Sequence, residues 1–309
     1  MKWWVGGAAA LLLLVISSWF IVNRPDKKMV SPQVAEKPLD KYTIERLGKR
    51  EYKSEIVIDD EISSGVFNFH FDSDGKKVTG LAHIPAKCGK CPVIAQFRGY
   101  VERDVYQPGV GTRKTAEVFA KNGFISLAPD GLGYGESDNP SSDVFEERFQ
   151  TYTTALNLLA GIESWERAGK IGIWGHSNGG QIALTVLEIS EKEYPTVLWA
   201  PVSKPFPYSI LYYTDEAEDR GKALRKKLAE FEKDYNVELY SLTNYLDRIK
   251  APVLIAQGTA DEAVPKKWTD DLVKNIKADY VVYPGADHNL LGSWSQAVQK
   301  GIDFWEKHW

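Results

Sequence analysis

The first apolar run along the chain, residues 3–22, holds twenty residues without a charge. At about 1.5 Å per residue, a helix of that length spans the ~30 Å hydrocarbon core of a bilayer. Trp3, Trp4 and Trp19 stand near its two ends, where indole rings favour the headgroup region. A cleaved signal peptide is the competing reading, but the small residues Ala8, Ala9 and Ala10 lie inside the apolar run rather than after it. Residues 1–23 are therefore read as an N-terminal transmembrane anchor or signal segment. Lys2 flanks one side and Arg24, Lys27 and Lys28 the other, so positive-inside counting alone would keep the remainder in the cytoplasm. A very short tail before a first apolar segment resembles an export signal instead. The expectation is a membrane-anchored domain on the extracytoplasmic side, with cleavage and secretion as the second choice. From 24 to 50 the pattern is polar, charged and punctuated by Pro25, Pro32 and Pro38, which reads as a linker.

Beyond the linker the period changes twice. Strand-like runs at 55–59, 66–71 and 77–84 come first, with Asp74 and Gly75 as a hairpin signal between the last two. From Pro92 onward, short apolar runs at 93–97, 124–128, 171–174, 196–199, 253–256 and 280–283 alternate with amphipathic stretches at 112–121, 146–167, 179–190, 266–276 and 293–307. Continuous apolar strands interleaved with helices predict an α/β domain over 51–309: a mostly parallel, doubly wound sheet with helices on both faces. The active site of such a sheet lies beyond the carboxyl ends of its strands. Between 203 and 250 the alternation stops, in a stretch with Pro205, Pro207, several aromatics and a charged helical run over 217–235. It is too long for a simple connection and reads as a helical lid insertion.

Composition narrows the function classes. The chain is 43% hydrophobic and 26% charged with a net charge of −4, so no basic field is available for nucleic acid. Cys88 and Cys91 are the two cysteines, too few ligands for a structural zinc among five scattered histidines. Pro92 and a strand follow them, where a thioredoxin-like pair would open a helix. A surface turn is the first reading and a local disulfide the second; neither makes the pair catalytic. The glycines of 130–137 are wrongly spaced for a dinucleotide fingerprint and open no helix, so that stretch reads as a structural turn beside the active site. No cofactor motif is found, and no metal is expected.

The run Gly175-His176-Ser177-Asn178-Gly179-Gly180 sits between an apolar strand and a helix, the context of a nucleophile elbow. A serine hydroxyl needs a base to take its proton, and in this arrangement the partners follow in the order serine, acid, histidine. Asp261, just past the strand at 253–256, is the candidate acid. Residues 200–203, after the preceding strand, offer no carboxylate, and Glu262 would point elsewhere on a tight turn. His288, past the last strand, is the candidate base. His176 flanks the serine and should not reach its hydroxyl, and Asp287 is too near in sequence to orient its neighbour's ring. For the oxyanion, the N–H of Asn178 is one donor and Tyr100, through its N–H or its phenol, the other, with Gly99 allowing the turn.

These residues resemble the catalytic domain of the prolyl oligopeptidase family of serine peptidases, in the α/β-hydrolase superfamily. The resemblance runs from about Pro92 to the C-terminus. Four features carry it: 175–180, the run 249–254 (Ile-Lys-Ala-Pro-Val-Leu), the run 258–265 (Gly-Thr-Ala-Asp-Glu-Ala-Val-Pro), and His288. It implies a catalytic triad of Ser177, Asp261 and His288 cleaving a peptide bond through an acyl-enzyme. Two departures bear on substrate. Roughly 40 residues between linker and core cannot build the β-propeller that many members carry, and Arg98 stands where related hydrolases often have histidine. A carboxylesterase or dienelactone-type esterase is therefore the alternative, and a membrane-tethered binding module on an inactive scaffold the remote one. The expected partners are a small peptide or ester and the membrane.

Overall fold

A computed structural model describes residues 36–214 and 217–309. The N-terminal segment at 1–23 and the linker up to residue 35 lie outside the described residues. Within them, no helix is long and apolar enough to cross a membrane.

Nine strands form one sheet: β1 (Val57–Ser63), β2 (Val66–Ser73), β3 (Lys76–His83), β4 (Cys91–Phe97), β5 (Ile125–Pro129), β6 (Ala168–His176), β7 (Thr196–Trp199), β8 (Val253–Gly258) and β9 (Asp279–Tyr283). Their order across the sheet is β1-β2-β3-β5-β4-β6-β7-β8-β9. The first three run as an antiparallel meander that joins β5 antiparallel, and β5, β4, β6, β7, β8 and β9 are mutually parallel. Asp74 and Gly75, at φ 57° and 78°, form the hairpin turn between β2 and β3 that the sequence predicts.

The helices of seven or more residues are α1 (Arg113–Lys121), α2 (Val144–Ser164), α3 (Asn178–Ser190), α4 (Lys222–Phe231), α5 (Lys266–Leu272) and α6 (Trp294–His308). Strand alternation splits the core in two. Ala95, Ile173, Leu198 and Ile255 face α2 and α3 in one cluster. Ile94, Trp174, Val197 and Leu254 face α1 and α6 in the other. Both faces are thus covered, which is why the strands read as unbroken apolar runs. The neighbours of β4 are β5 on one side and β6 on the other. The connections leaving β4 and β6 therefore part at a switch point, where such sheets open a crevice.

Three expectations change in detail. The expected linker is shorter at its C-terminal end: Leu39, Tyr42, Ile44 and Leu47 are buried in the core, and the Lys37 ammonium pairs with Asp234 at 2.7 Å. The helix predicted at 266–276 stops at Leu272, where Val273 caps it and the Asn275 side chain donates to the Asp271 carbonyl. The stretch 203–250 is helical in short pieces, with α4 the longest, and Ile210 and Leu224 from it wall a cleft described below. Cys88, in the turn before β4, is bonded to Cys91, the first residue of that strand, so the local disulfide that stood as the second reading is present at the turn.

Candidate active site

Ser177 links β6 to α3 at φ 56° and ψ −119°. L-residues rarely adopt that conformation, and a nucleophile elbow uses it to lift the side chain clear of the turn. The glycines around it permit close backbone approach. A Cβ on Gly179 would lie 1.9 Å from the Phe97 carbonyl oxygen, and one on Gly175 2.7 Å from that of Gly179. The strained point is fixed from β7: the Ser177 N–H donates to the Trp199 carbonyl at 2.9 Å, and its own carbonyl accepts from Val202 at 3.0 Å.

Asp261 lies three residues past β8 with its side chain fully buried. Four donors surround its carboxylate. Oδ1 accepts the N–H groups of Ala263 (3.0 Å) and Val264 (2.8 Å), while Oδ2 accepts Gln257 Nε2 (2.9 Å) and His288 Nδ1 (2.9 Å). Burial pushes its pKa up, but the hydrogen bonds from His288, Val264 and Gln257 outweigh burial and hold the carboxyl below its ordinary value. Since a carboxylate only accepts, Nδ1 of His288 carries the ring proton and Nε2 is left to act as a base. The loop bearing His288 is braced from within: Asp287 Oδ1 accepts the N–H groups of Asn289 (3.0 Å) and Leu291 (2.9 Å). Asp287 therefore holds the loop rather than the imidazole.

His176 has a place that sequence reasoning missed. Its ring lies against that of His288, with centroids 4.6 Å apart, and its Nε2 is 2.9 Å from the His288 carbonyl oxygen. A carbonyl can only accept, so Nε2 donates. Burial first, and the neighbouring His288 second, lower the His176 pKa to about 4. The signal was in the strand alternation: His176 and Trp174 share one face of β6, the face on which the loop after β9 returns.

The loop 98–100 lies against the elbow, since a Cβ on Gly99 would be 3.2 Å from Ser177 Cβ. Arg98 braces that loop. Its guanidinium is held between the rings of Tyr106 (4.6 Å) and Tyr134 (4.2 Å) and donates to the carbonyls of Gly99 (2.9 Å) and Asp130 (3.0 Å). The Tyr100 phenol is exposed; partial burial and a hydrogen bond to Glu102 push its pKa up to about 12. Asn178 opens α3, so its N–H has no carbonyl partner inside the helix. Tyr100 and Asn178 both border a cleft of about 320 Å³, with Phe97, Leu132, Ile182 and Leu224 among its apolar walls. The turn at 130–137 forms part of the wall: Asp130 accepts Thr79 Oγ1 (2.6 Å) and the Tyr106 hydroxyl (2.5 Å). Among the described residues, no group of three or more His, Cys, Asp or Glu could hold a metal ion.

Solved structures share this architecture. Acetyl xylan esterase 1 from Thermoanaerobacterium sp. superposes with a TM-score of 0.63 at 18% identity, over 86% of this chain and 93% of that one. An acetyl xylan esterase from Paenibacillus sp. R4 gives 0.64 at 16% identity, over 88% and 96%. A puromycin-hydrolysing peptidase of Mycobacterium tuberculosis gives 0.61 at 15% identity, over 81% of this chain but 40% of that one. At those identities the likeness establishes the α/β-hydrolase fold. The family model of the prolyl oligopeptidase family matches residues 111–309, from just before α1 through the elbow and the loops after β8 and β9. The chain belongs to the prolyl oligopeptidase family and is a serine hydrolase.

Proposed function

We propose that Ser177, His288 and Asp261 act as a catalytic triad that cleaves an acyl bond through a covalent acyl-enzyme. The observation that carries this reading is the 2.9 Å bond between Asp261 and His288, made by loops after β8 and β9 at the strand ends where the elbow stands. Ser177 Oγ attacks the carbonyl carbon while its proton passes to His288 Nε2. The imidazolium returns that proton to the leaving group as the carbonyl–heteroatom bond breaks. Water then repeats the sequence on the acyl-enzyme and frees the acid. Asp261 keeps its proton off throughout and stabilises the imidazolium. The N–H groups of Asn178 and Tyr100 hold the oxyanion; the Tyr100 phenol is engaged by Glu102 and is the weaker choice.

For the bond cleaved, a short peptide is the first reading and rests on membership of a peptidase family. A carboxylester is the second, favoured by the match in length to two acetyl xylan esterases, against 40% coverage of the peptidase. A neutral fluorophosphonate should label the wild type and leave Ser177→Ala unlabelled; equal labelling of both would remove Ser177 as nucleophile. Turnover of p-nitrophenyl esters with no cleavage of aminoacyl or prolyl amides would decide for the esterase.

A further inference from the structure

The cleft beside Asn178 is mostly apolar, with Leu132, Val144, Ile182, Ile210 and Leu224 in its wall. Two guanidiniums interrupt that wall. Arg98 has a buried, unpartnered Nε, but it lies between two tyrosine rings and both its Nη groups donate to backbone carbonyls. Arg148 has fewer partners. It projects from the second turn of α2 and gives one Nη2–H to Gln181 Oε1, on the first turn of α3. Its Nε is buried without a partner. Among the described residues no carboxylate lies within ion-pair distance of Arg148, because the acids nearby are otherwise engaged. Glu147 pairs with Arg103, Glu146 with Lys41 and Tyr42, and Asp130 with Thr79 and Tyr106.

A guanidinium facing an apolar cleft with unused donors is costly unless something supplies the opposite charge. Its planar fork fits a carboxylate in two-point contact. The same cleft reaches Asn178, whose N–H is assigned to the oxyanion, so a ligand in it can join the reacting carbonyl to Arg148. We infer that the substrate carries a carboxylate that pairs with Arg148, joined to the scissile carbonyl by an apolar segment lying between Ile182 and Leu224. This rests on the hydrolase reading above and adds the substrate class: an acidic ester or amide rather than a neutral one.

The test uses the full chain and matched p-nitrophenyl esters, the hydrogen succinate, glutarate and adipate against neutral acyl chains of the same length. At the best length the acidic ester should be preferred by about 30-fold or more in kcat/KM, since a buried polar group left unpaired by the neutral analogue is penalised. Arg148→Met should lower that ratio by about 30-fold, the range of a charge-assisted hydrogen bond, and Arg148→Lys should restore part of it. In the wild type alone, free glutarate should compete better than pentanamide, a measurement that needs no variant to fold. A preference for neutral esters at every length, or a ratio unchanged in Arg148→Met, overturns the inference. Fluorophosphonate labelling of Ser177 without acidic preference would sink this inference and spare the hydrolase. No labelling at all would sink both.

Discussion

A neutral imidazole under the His288 loop has two measurable consequences. His176 donates to the His288 carbonyl and lies tilted against its ring, so in the proposed triad it is a positioning residue for the base. His176→Phe keeps the volume and aromatic contact but leaves that carbonyl without its donor. Small misplacements of a catalytic group cost up to about 10²-fold, so kcat should fall by about 10- to 100-fold with KM nearly unchanged. The second consequence concerns stability. The folded pKa of about 4 lies below the ordinary 6.5, so between those values the unfolded chain binds a proton that the folded chain refuses. Stability contributed at pH 7 is therefore lost as pH falls from 6.5 toward 4, by about 2 kcal/mol between pH 7 and pH 5. Urea unfolding at those two pH values should show that loss in the wild type and a smaller one in His176→Phe. Equal slopes would mean that the ring is not held neutral. The role was not legible in the motif, where His176 reads only as the residue before a serine; it depends on a carbonyl 112 residues away.

Along α3 the sequence and structure agree on the helix and part over one side chain. Ala183, Leu184, Val186, Leu187 and Ile189 show a helix buried nearly all round, as expected behind a covered sheet. Glutamate is almost never fully buried unless paired, and Glu188 stands among these residues. Yet it is buried, with both carboxylate oxygens unpartnered, and the Thr185 hydroxyl one turn earlier is unpartnered too. The explanation lies in elements too short to give a period. The turn Ile44–Leu47 and the 3-10 turns Leu242–Asn244 and Leu246–Arg248 pack on α3. Their few apolar residues are lost among prolines and charges in the sequence. The long strands and helices were legible because burial on both faces writes continuous apolar runs. Burial, its largest cause, raises the Glu188 pKa well above its ordinary 4.5. Between 4.5 and that raised value the folded state holds a proton that the unfolded state has released. Stability then falls by about 1.4 kcal/mol per pH unit as pH rises through the window. Glu188→Met should stabilise the protein at pH 7, and its advantage should shrink to near zero at pH 4. Thermal unfolding of both proteins at the two pH values checks this; an advantage independent of pH would assign the gain to packing alone.

At the scale of the whole molecule, the question is where the folded unit begins and what the residues before it do. Lys37–Trp309 form one compact unit. Leu39, Tyr42, Ile44 and Leu47 belong to its core, and burying each such side chain is worth about 1.5–3 kcal/mol. A chain cut to residues 37–309 keeps all four, whereas one cut to 50–309 loses them and the packing of Ile44–Leu47 on α3. Domains are stable by only about 5–15 kcal/mol, so 50–309 should unfold at markedly lower urea, while 37–309 should unfold cooperatively and label with fluorophosphonate. We propose that the uncharged run at 3–22 tethers this unit to a membrane. It follows that the full chain should resist carbonate extraction from a membrane fraction, and 37–309 should be released. If 37–309 stays with the membrane as the full chain does, the tether lies in the folded unit and the apolar run is not its anchor. If the full chain is released as well, the run is removed on export and the hydrolase is a secreted one.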